Sequence, residues 1–371
     1  MPRPNHPALF VLFVVASAFP AAARADIVIG LAAPLSGTFQ PLGQEVRNGA
    51  EAAVADINAV GGVLGEKLSL VERDDACDPK QAVIVAGELS AAHVAAVIGH
   101  FCSGAAIAAA PAYAAAHVIE ISPGATAAAY TDERAGPGAF RVSARDDRQG
   151  VVAGAYLAQT FAGKKVAFLN DKSTYGRNIA SAALAAFNAA GQKETMVQAY
   201  DAGARDYGPL ASIVQAAAID ALFIGGAAND VAGIARALQD KGMNIAILGD
   251  DALASEDFYR AAGDAGDGVM MTALPDPRLD PDNALLVTQF RQRQIEPAGY
   301  TLYAYAAVQV WARAATATKS TDYDKVSAAI ASGAFATALG QLSFDDRGDV
   351  KAPGYSVYVW RKGDYAPVVA P

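Results

Sequence analysis

From Asp26 onward the chain alternates short β-branched runs with helix-spaced segments, and this alternation commits it to βαβ units and parallel sheets. Residues 26–32 read as a strand, and 43–58 as a helix on the spacing Val46, Ala50, Ala53, Val54, Ile57, stopped by Gly61-Gly62. Strand 67–73 follows, and Asp78-Pro79 opens the next helix with proline in its first turn. Strand 94–99, helix 104–116 and strand 118–121 continue the series. Past the charged stretch 145–148 a second series begins, with helices at 150–161, 177–190, 207–217, 230–241 and 256–262. Its strands fall at 165–170, 195–200, 221–225, 245–248 and 268–272. Two similar halves in tandem predict two α/β lobes facing each other across a cleft. The proline- and aspartate-rich 275–285 reads as a surface loop, since it lacks the spacing, glycine and glutamate of an EF-hand. Helices 302–316 and 323–331 and strands 342–344 and 355–360 close the pattern.

Residues 1–25 stand outside this scheme. Arg3 and His6 precede an apolar run, 8–19, too short to span a bilayer, and Ala23-Arg24-Ala25 offers an A-x-A cleavage site before Asp26. This is the pattern of a cleaved export signal. No cysteine follows the cut, which argues against a lipid anchor. The formal charge of −9 becomes −11 once Arg3 and Arg24 are removed, and no Lys/Arg cluster tracks phosphates, so nucleic acid is excluded as a partner. After residue 25 no stretch is apolar enough to cross a membrane.

The stretch 98–126 places two small-residue turns after strands, one carrying Ser103 and the other Thr126. In open α/β sheets ligands sit beyond the carboxyl ends of strands, so both turns should face one crevice. Small residues let backbone N–H groups approach a ligand, and helix starts favour anions. Together the turns suit a carboxylate. The two cysteines, Cys77 and Cys102, each lie beside a strand end; one disulfide, a free thiol pair and a metal site are the alternatives, the last fitting poorly without nearby histidines. His100 beside Ser103 admits a Ser–His pair, but no hydrolase or metal signature surrounds it, and no nucleotide-binding glycine motif follows the first strand. Tyr175, Tyr300 and Asp250-Asp251 lie at ends of later elements, where packing or capping competes with a ligand role.

The runs AEAAVADINAVGGVLGEKLSLVERDDACDPKQA (50–82), VIGHFCSG (97–104), ISPGAT (121–126), NDKSTYG (170–176) and TLYAYAAVQ (301–309) closely resemble periplasmic branched-chain amino-acid binding proteins of ABC importers. The resemblance spans the mature chain and includes the two cysteines, which pair in that family. It implies an α/β fold of periplasmic binding protein type I: two doubly wound parallel-sheet lobes joined by three crossovers, near 143–145, 271–274 and 352–355. Lobe 1 would take 26–143 plus 274–353, and lobe 2 would take 144–272 plus 355–371. Ser103 and Thr126 would bind a ligand's α-carboxylate. The Gly124 carbonyl, the Thr126 hydroxyl and Asp251 would receive its ammonium, and Phe101, Tyr175 and Tyr300 would form walls. The expected partners are an amino acid and a membrane permease. The protein itself would be a periplasmic monomer, with no cofactor, no metal and no catalysis.

Three departures bear on specificity. Asp251 stands where the family often has glutamate, Leu42 where some relatives have tyrosine, and Ala227 follows Gly225-Gly226 in place of a larger side chain. These changes remove bulk, and selectivity by such changes amounts to ~1–3 kcal/mol. Relatives of this fold also bind amides and aromatic acids, so a ligand-sensing module for such a compound is the alternative reading.

Overall fold

A computed structural model describes Met1 and residues 26–351 and 354–368. Apart from Met1, the export-signal segment lies outside the described residues, as does part of the third crossover, 352–353.

The first sheet is built from β1 (Ile27–Ala33), β2 (Leu68–Asp74), β3 (Ala96–Ile98), β4 (Ile119–Ser122) and β5 (Ala139–Arg141), all parallel, in the order β2-β1-β3-β4-β5. The intervening helices are α1 (Gln40–Ala59), α2 (Pro79–Ala91), α3 (Ser103–Ala115) and the single turn α4 (Ala129–Asp132). Helix α5 (Asp146–Thr160) leads into the second series: β6 (Val166–Asn170), α6 (Thr174–Ala189), β7 (Met196–Ala199), α7 (Gly208–Ala217) and β8 (Ala221–Gly225). It continues with α8 (Ala228–Asp240), β9 (Ala246–Gly249), α9 (Glu256–Ala262) and β10 (Met270–Ala273). Its parallel core runs β7-β6-β8-β9-β10, repeating the first sheet's order. Each sheet therefore reverses strand order once, at β1/β3 and at β6/β8. Such switch points leave a crevice beyond the strand ends.

The remaining elements are α10 (Ala284–Gln292), α11 (Thr301–Thr318), α12 (Tyr323–Ser332), the hairpin β11 (Ala334–Thr337)–β12 (Gly340–Ser343), β13 (Ser356–Arg361) and β14 (Asp364–Pro367). Strands β13 and β14 join the second sheet antiparallel beside β10. Helix α11 is buried along most of its length, around Trp311, and packs with α1 and the first sheet in one core. Gly49 of α1 permits this close approach, since a side chain there would strike the Thr301 carbonyl. A second core gathers β8, β9 and α8 about Phe258 and Trp360.

Where sequence and structure differ, the missed elements are short. The stretch 275–285 holds two proline-led 3₁₀ turns capped by Asp276 and Asp280, and its end already belongs to α10. That helix buries only Val287 and Phe290, too few for a visible period. Strands β5, β11 and β14 have three or four residues each, short of one clear alternation.

Candidate functional site

The turn after β4 is prepared by hydrogen bonds within the chain. Ser122 Oγ accepts from the N–H groups of Gly124 (3.3 Å) and Ala125 (2.8 Å) and donates to the His100 carbonyl (2.6 Å). Arg141, fully buried, donates through Nη1 to the carbonyls of Ala125 (2.7 Å) and Ala127 (2.9 Å), while its Nε meets Asp349 Oδ1 at 2.6 Å. The Ala127 N–H donates to Ser103 Oγ at 3.2 Å, tying this turn to the start of α3. Thr126 lies between them, fully buried, with a hydroxyl oxygen that has no protein partner. A buried hydroxyl left unmatched costs about 1–3 kcal/mol, so an incoming polar group gains by matching it. Neither Ser122 nor Arg141 stood out in the sequence as a site residue, although one arginine in an otherwise apolar strand was the available signal.

Cys77 and Cys102 form a disulfide with Cα atoms 5.4 Å apart, joining the start of α2 to the start of α3. His100 is fully engaged elsewhere: Nδ1 meets Asp75 Oδ2 at 2.7 Å and Nε2 meets the Tyr113 hydroxyl at 3.0 Å. Its ring is thus committed to a buried network rather than to Ser103. Glu120, which accepts from the His100 N–H, is pushed up to about 8, chiefly by burial.

Opposite these turns stands Asp251, just past β9. Its Oδ1 accepts from the Tyr175 hydroxyl (2.7 Å) and from Gln149 Nε2 (3.1 Å), and its Oδ2 from the Tyr300 hydroxyl (2.5 Å). Tyr300 precedes α11, so this last bond crosses the cleft. A carboxylate offers about four acceptor sites, and three are taken here, which leaves room for one more donor. Asp250 beside it is buried and caps Gly226 N (2.8 Å) and Ala252 N (3.0 Å); burial first, and the Asp251 charge second, raise its pKa well above the usual carboxylate range.

Between the halves lies a cavity of about 280 Å³. Leu42, Phe101, Ser103, Gly124, Tyr175 and Tyr300 line it, with Phe39, Pro79, Ala252 and the disulfide. Phe101 and Tyr300 meet edge-on at 4.8 Å between ring centres. Gly124 is required where it stands, since a side chain would enter the Phe101 ring. The first turns of α3 (Ser103, Gly104) and α6 (Thr174, Tyr175) both open onto the cavity, and helix starts favour negative charge. Lys172 and Arg177 stand at its edge.

Three residues singled out in the sequence do not line this space. Asp251 stands behind the Tyr175 and Tyr300 hydroxyls that bind it, and Thr126 is buried under its own turn. Ala227, N-cap of α8, is 3% exposed.

A family profile described as periplasmic binding protein matches residues 26–364. The chain belongs to the periplasmic binding protein family. Among relatives, this binding protein is 40% identical to Leu/Ile/Val-binding protein homolog 1 of Brucella suis biovar 1, over 93% of each chain. It is likewise 40% identical to an amino acid binding protein of Pseudomonas aeruginosa, over 92% of each. In fold it matches the crystal structure of a leucine binding protein from Thermotoga maritima, with a TM-score of 0.83 at 22% identity over 92% of this chain and 98% of that one. The family consists of solute-binding transport proteins, and its fold, periplasmic binding protein type I, is the one present here. No helix among the described residues is long and apolar enough to cross a membrane.

Proposed function

We propose that this periplasmic binding protein captures an aliphatic amino acid of the leucine, isoleucine and valine class, closes its two halves over it, and delivers it to the membrane permease of an ABC importer. The observation that carries this is the polarity of the walls around the cavity. On one side Ser103 at the α3 start faces the cavity, with the unpartnered Thr126 hydroxyl in the turn behind it, suited to a carboxylate; on the other Tyr175 and Tyr300 line the space and hold Asp251, with one acceptor site open, behind their hydroxyls, suited to an ammonium. A zwitterion leaving water needs both poles matched, because an unpaired buried charge costs several kcal/mol. A cavity of this size lies at the small end for ligand sites and suits one small molecule.

Ser103 and Thr126 are assigned to the carboxylate, and the Gly124 carbonyl and Asp251 to the ammonium. Leu42, Phe101, Tyr175 and Tyr300 are assigned to the side-chain wall, with Ala227 behind it. The lobes are taken as 26–143 plus 274–353 and 144–272 plus 355–371, which follows the division of strands between the two sheets. The chain acts as an exported monomer after removal of residues 1–25, binds no cofactor and performs no catalysis.

The test is a melting-temperature screen of the purified mature protein with all L-amino acids, several amides and aromatic acids. Ligand at about 100 times its Kd should stabilise the protein by about 2.7 kcal/mol. Leucine, isoleucine or valine should give the largest shift. A shift with an aromatic acid or amide, and none with any amino acid, overturns the assignment.

A further inference from the structure

Among the described residues, no carboxylate lines the cavity. The charged side chains on its lining are Lys172 and Arg177, both cations, and the first turns of α3 and α6 open onto it as well. Asp251 lines a separate recess of about 40 Å³ with Ser143, Pro275 and Tyr303, and Tyr300 alone is common to the two linings. What the cavity meets on that side is the pair of tyrosines whose hydroxyls donate to Asp251, Tyr175 at 2.7 Å and Tyr300 at 2.5 Å. Gln149 Nε2 adds a third bond to the carboxylate at 3.1 Å and is itself tied to the Thr272 carbonyl at 2.9 Å. A phenol carries one proton and two lone pairs, whereas a carboxylate only accepts. Both phenol protons are therefore spent on Asp251, and burial above all holds the two phenols protonated, well above their usual range. Each hydroxyl has only lone pairs left to offer a ligand.

We propose that the site reads the ligand's α-substituent through the Tyr175 and Tyr300 oxygens, with Asp251 acting only through them, and that it therefore binds branched-chain α-hydroxy acids as well as amino acids. The inference rests on the amino-acid reading of the cavity and deepens it. A bare carboxylate against the ligand would demand a cation, and a site built to pair one substrate group rejects an analogue lacking it by about ten-thousandfold. A hydroxyl oxygen makes no such demand. It accepts from the N–H of an ammonium or from an O–H, the first bond being charge-assisted and roughly twice as strong. Asp251 still favours the ammonium, but its charge lies one hydroxyl away and the preference is diluted. The rest of the site treats both ligands alike. Ser103 and Thr126 are assigned to the carboxylate that the two share, and the Gly124 carbonyl accepts from either α-substituent. Lys172 and Arg177 favour the net negative charge of the hydroxy acid. That contribution is small, because Lys172 already pairs with Asp201 at 2.5 Å and Arg177 with the Lys172 carbonyl.

The experiment measures Kd by calorimetry for leucine, isoleucine and valine and for their hydroxy acid analogues of the same configuration. Each pair shares its carboxylate and its side chain, so the comparison isolates the α-substituent. In wild type the hydroxy acid should bind about tenfold more weakly than its amino acid, and within about a hundredfold. Tyr175→Phe and Tyr300→Phe, made singly and together, remove the oxygens that both ligands use. The double variant should lose about tenfold or more for either kind of acid, with urea midpoints showing which variants are folded. Asp251→Asn should bring the two Kd values of a pair to within about threefold of each other, a ratio that a merely structural role would leave alone. A hydroxy acid more than about a hundredfold weaker in wild type overturns the relay and leaves the amino-acid reading standing. So does leucine binding that is unchanged or tighter in the folded phenylalanine variants, because the freed carboxylate would then be meeting the ammonium itself. Absence of binding to any L-amino acid by wild type overturns the amino-acid reading beneath it.

Discussion

The two sides of the cleft are held in different ways. On the first-sheet side, the Gly124–Ala127 turn is braced by its own lobe: Ser122, the Arg141–Asp349 pair and the Ser103–Ala127 bond all act within it. On the second-sheet side, Asp251 is held by side chains from α5, α6 and, across the gap, from the turn before α11. One wall is therefore built by folding, while the other is completed only when the lobes meet. Changes on the first side should register mainly in stability, and changes on the second mainly in affinity.

The largest expected effect tests the folded-in wall. Arg141 and Asp349 are both buried, at 0% and 2% exposure, and Arg141 also binds two carbonyls of the turn. Arg141→Met removes the closest cation of buried Asp349, leaving it Arg145 at 3.2 Å and the Thr131 hydroxyl at 2.8 Å, and frees two turn carbonyls, so it should cost toward the lower end of about 3–5 kcal/mol in urea unfolding. Adding Asp349→Leu should recover much of that stability, but not ligand binding, because the turn keeps no donor to its carbonyls. A loss under about 1 kcal/mol in the single variant would break the contrast between the walls. The next effect in size is the disulfide. Its cysteines are 25 residues apart, and replacing both by alanine should cost ~3 kcal/mol in the chain-entropy model, read as a lower urea midpoint. Since both cysteines also line the cavity, bound ligand should slow reduction of the bond by a dithiol.

Thr126→Val separates stability from binding most cleanly. The hydroxyl has no protein partner, so its loss should change unfolding by less than about 1 kcal/mol while removing a ligand bond worth about 1.5–3 kcal/mol. Calorimetry should show a loss of affinity of about tenfold or more. Asp251→Asn is the counterpart: it keeps an acceptor oxygen for one tyrosine, turns an amide NH2 toward the other hydroxyl, and removes the charge, and should weaken amino acids far more than any acid lacking an ammonium.

Much of this arrangement was legible in the chain, and for a physical reason. Parallel strands buried on both faces must be apolar runs, so β1, β6 and β8 declared themselves, as did the long helices α1 and α11. The turns holding Ser103 and Thr126 were visible because only small residues fit there. What was hidden is support. Ser122 acts through a carbonyl 22 residues away and Arg141 through an aspartate 208 residues on. No local period records such pairings. The retreat of Asp251 and Ala227 from the cavity wall was hidden too, because it depends on where Tyr175, Tyr300 and the α8 start come to lie.

The smallest effect concerns selectivity. Leu42 sits in the first turn of α1, 5% exposed, and belongs both to the cavity wall and to the first core. Tyrosine there would add a ring on the cavity side, since the core side is already filled by α11. Two consequences oppose each other: the ring covers more of a short ligand, and it crowds a long one. Overpacking costs about 1–3 kcal/mol where there is no space. The balance should therefore shift by the ligand's length, with Leu42→Tyr weakening leucine relative to valine by about tenfold and leaving the urea midpoint nearly unchanged. An equal loss for both ligands would mean that the leucine contacts only the core, and that the side-chain end of the cavity lies nearer Pro79 and the disulfide.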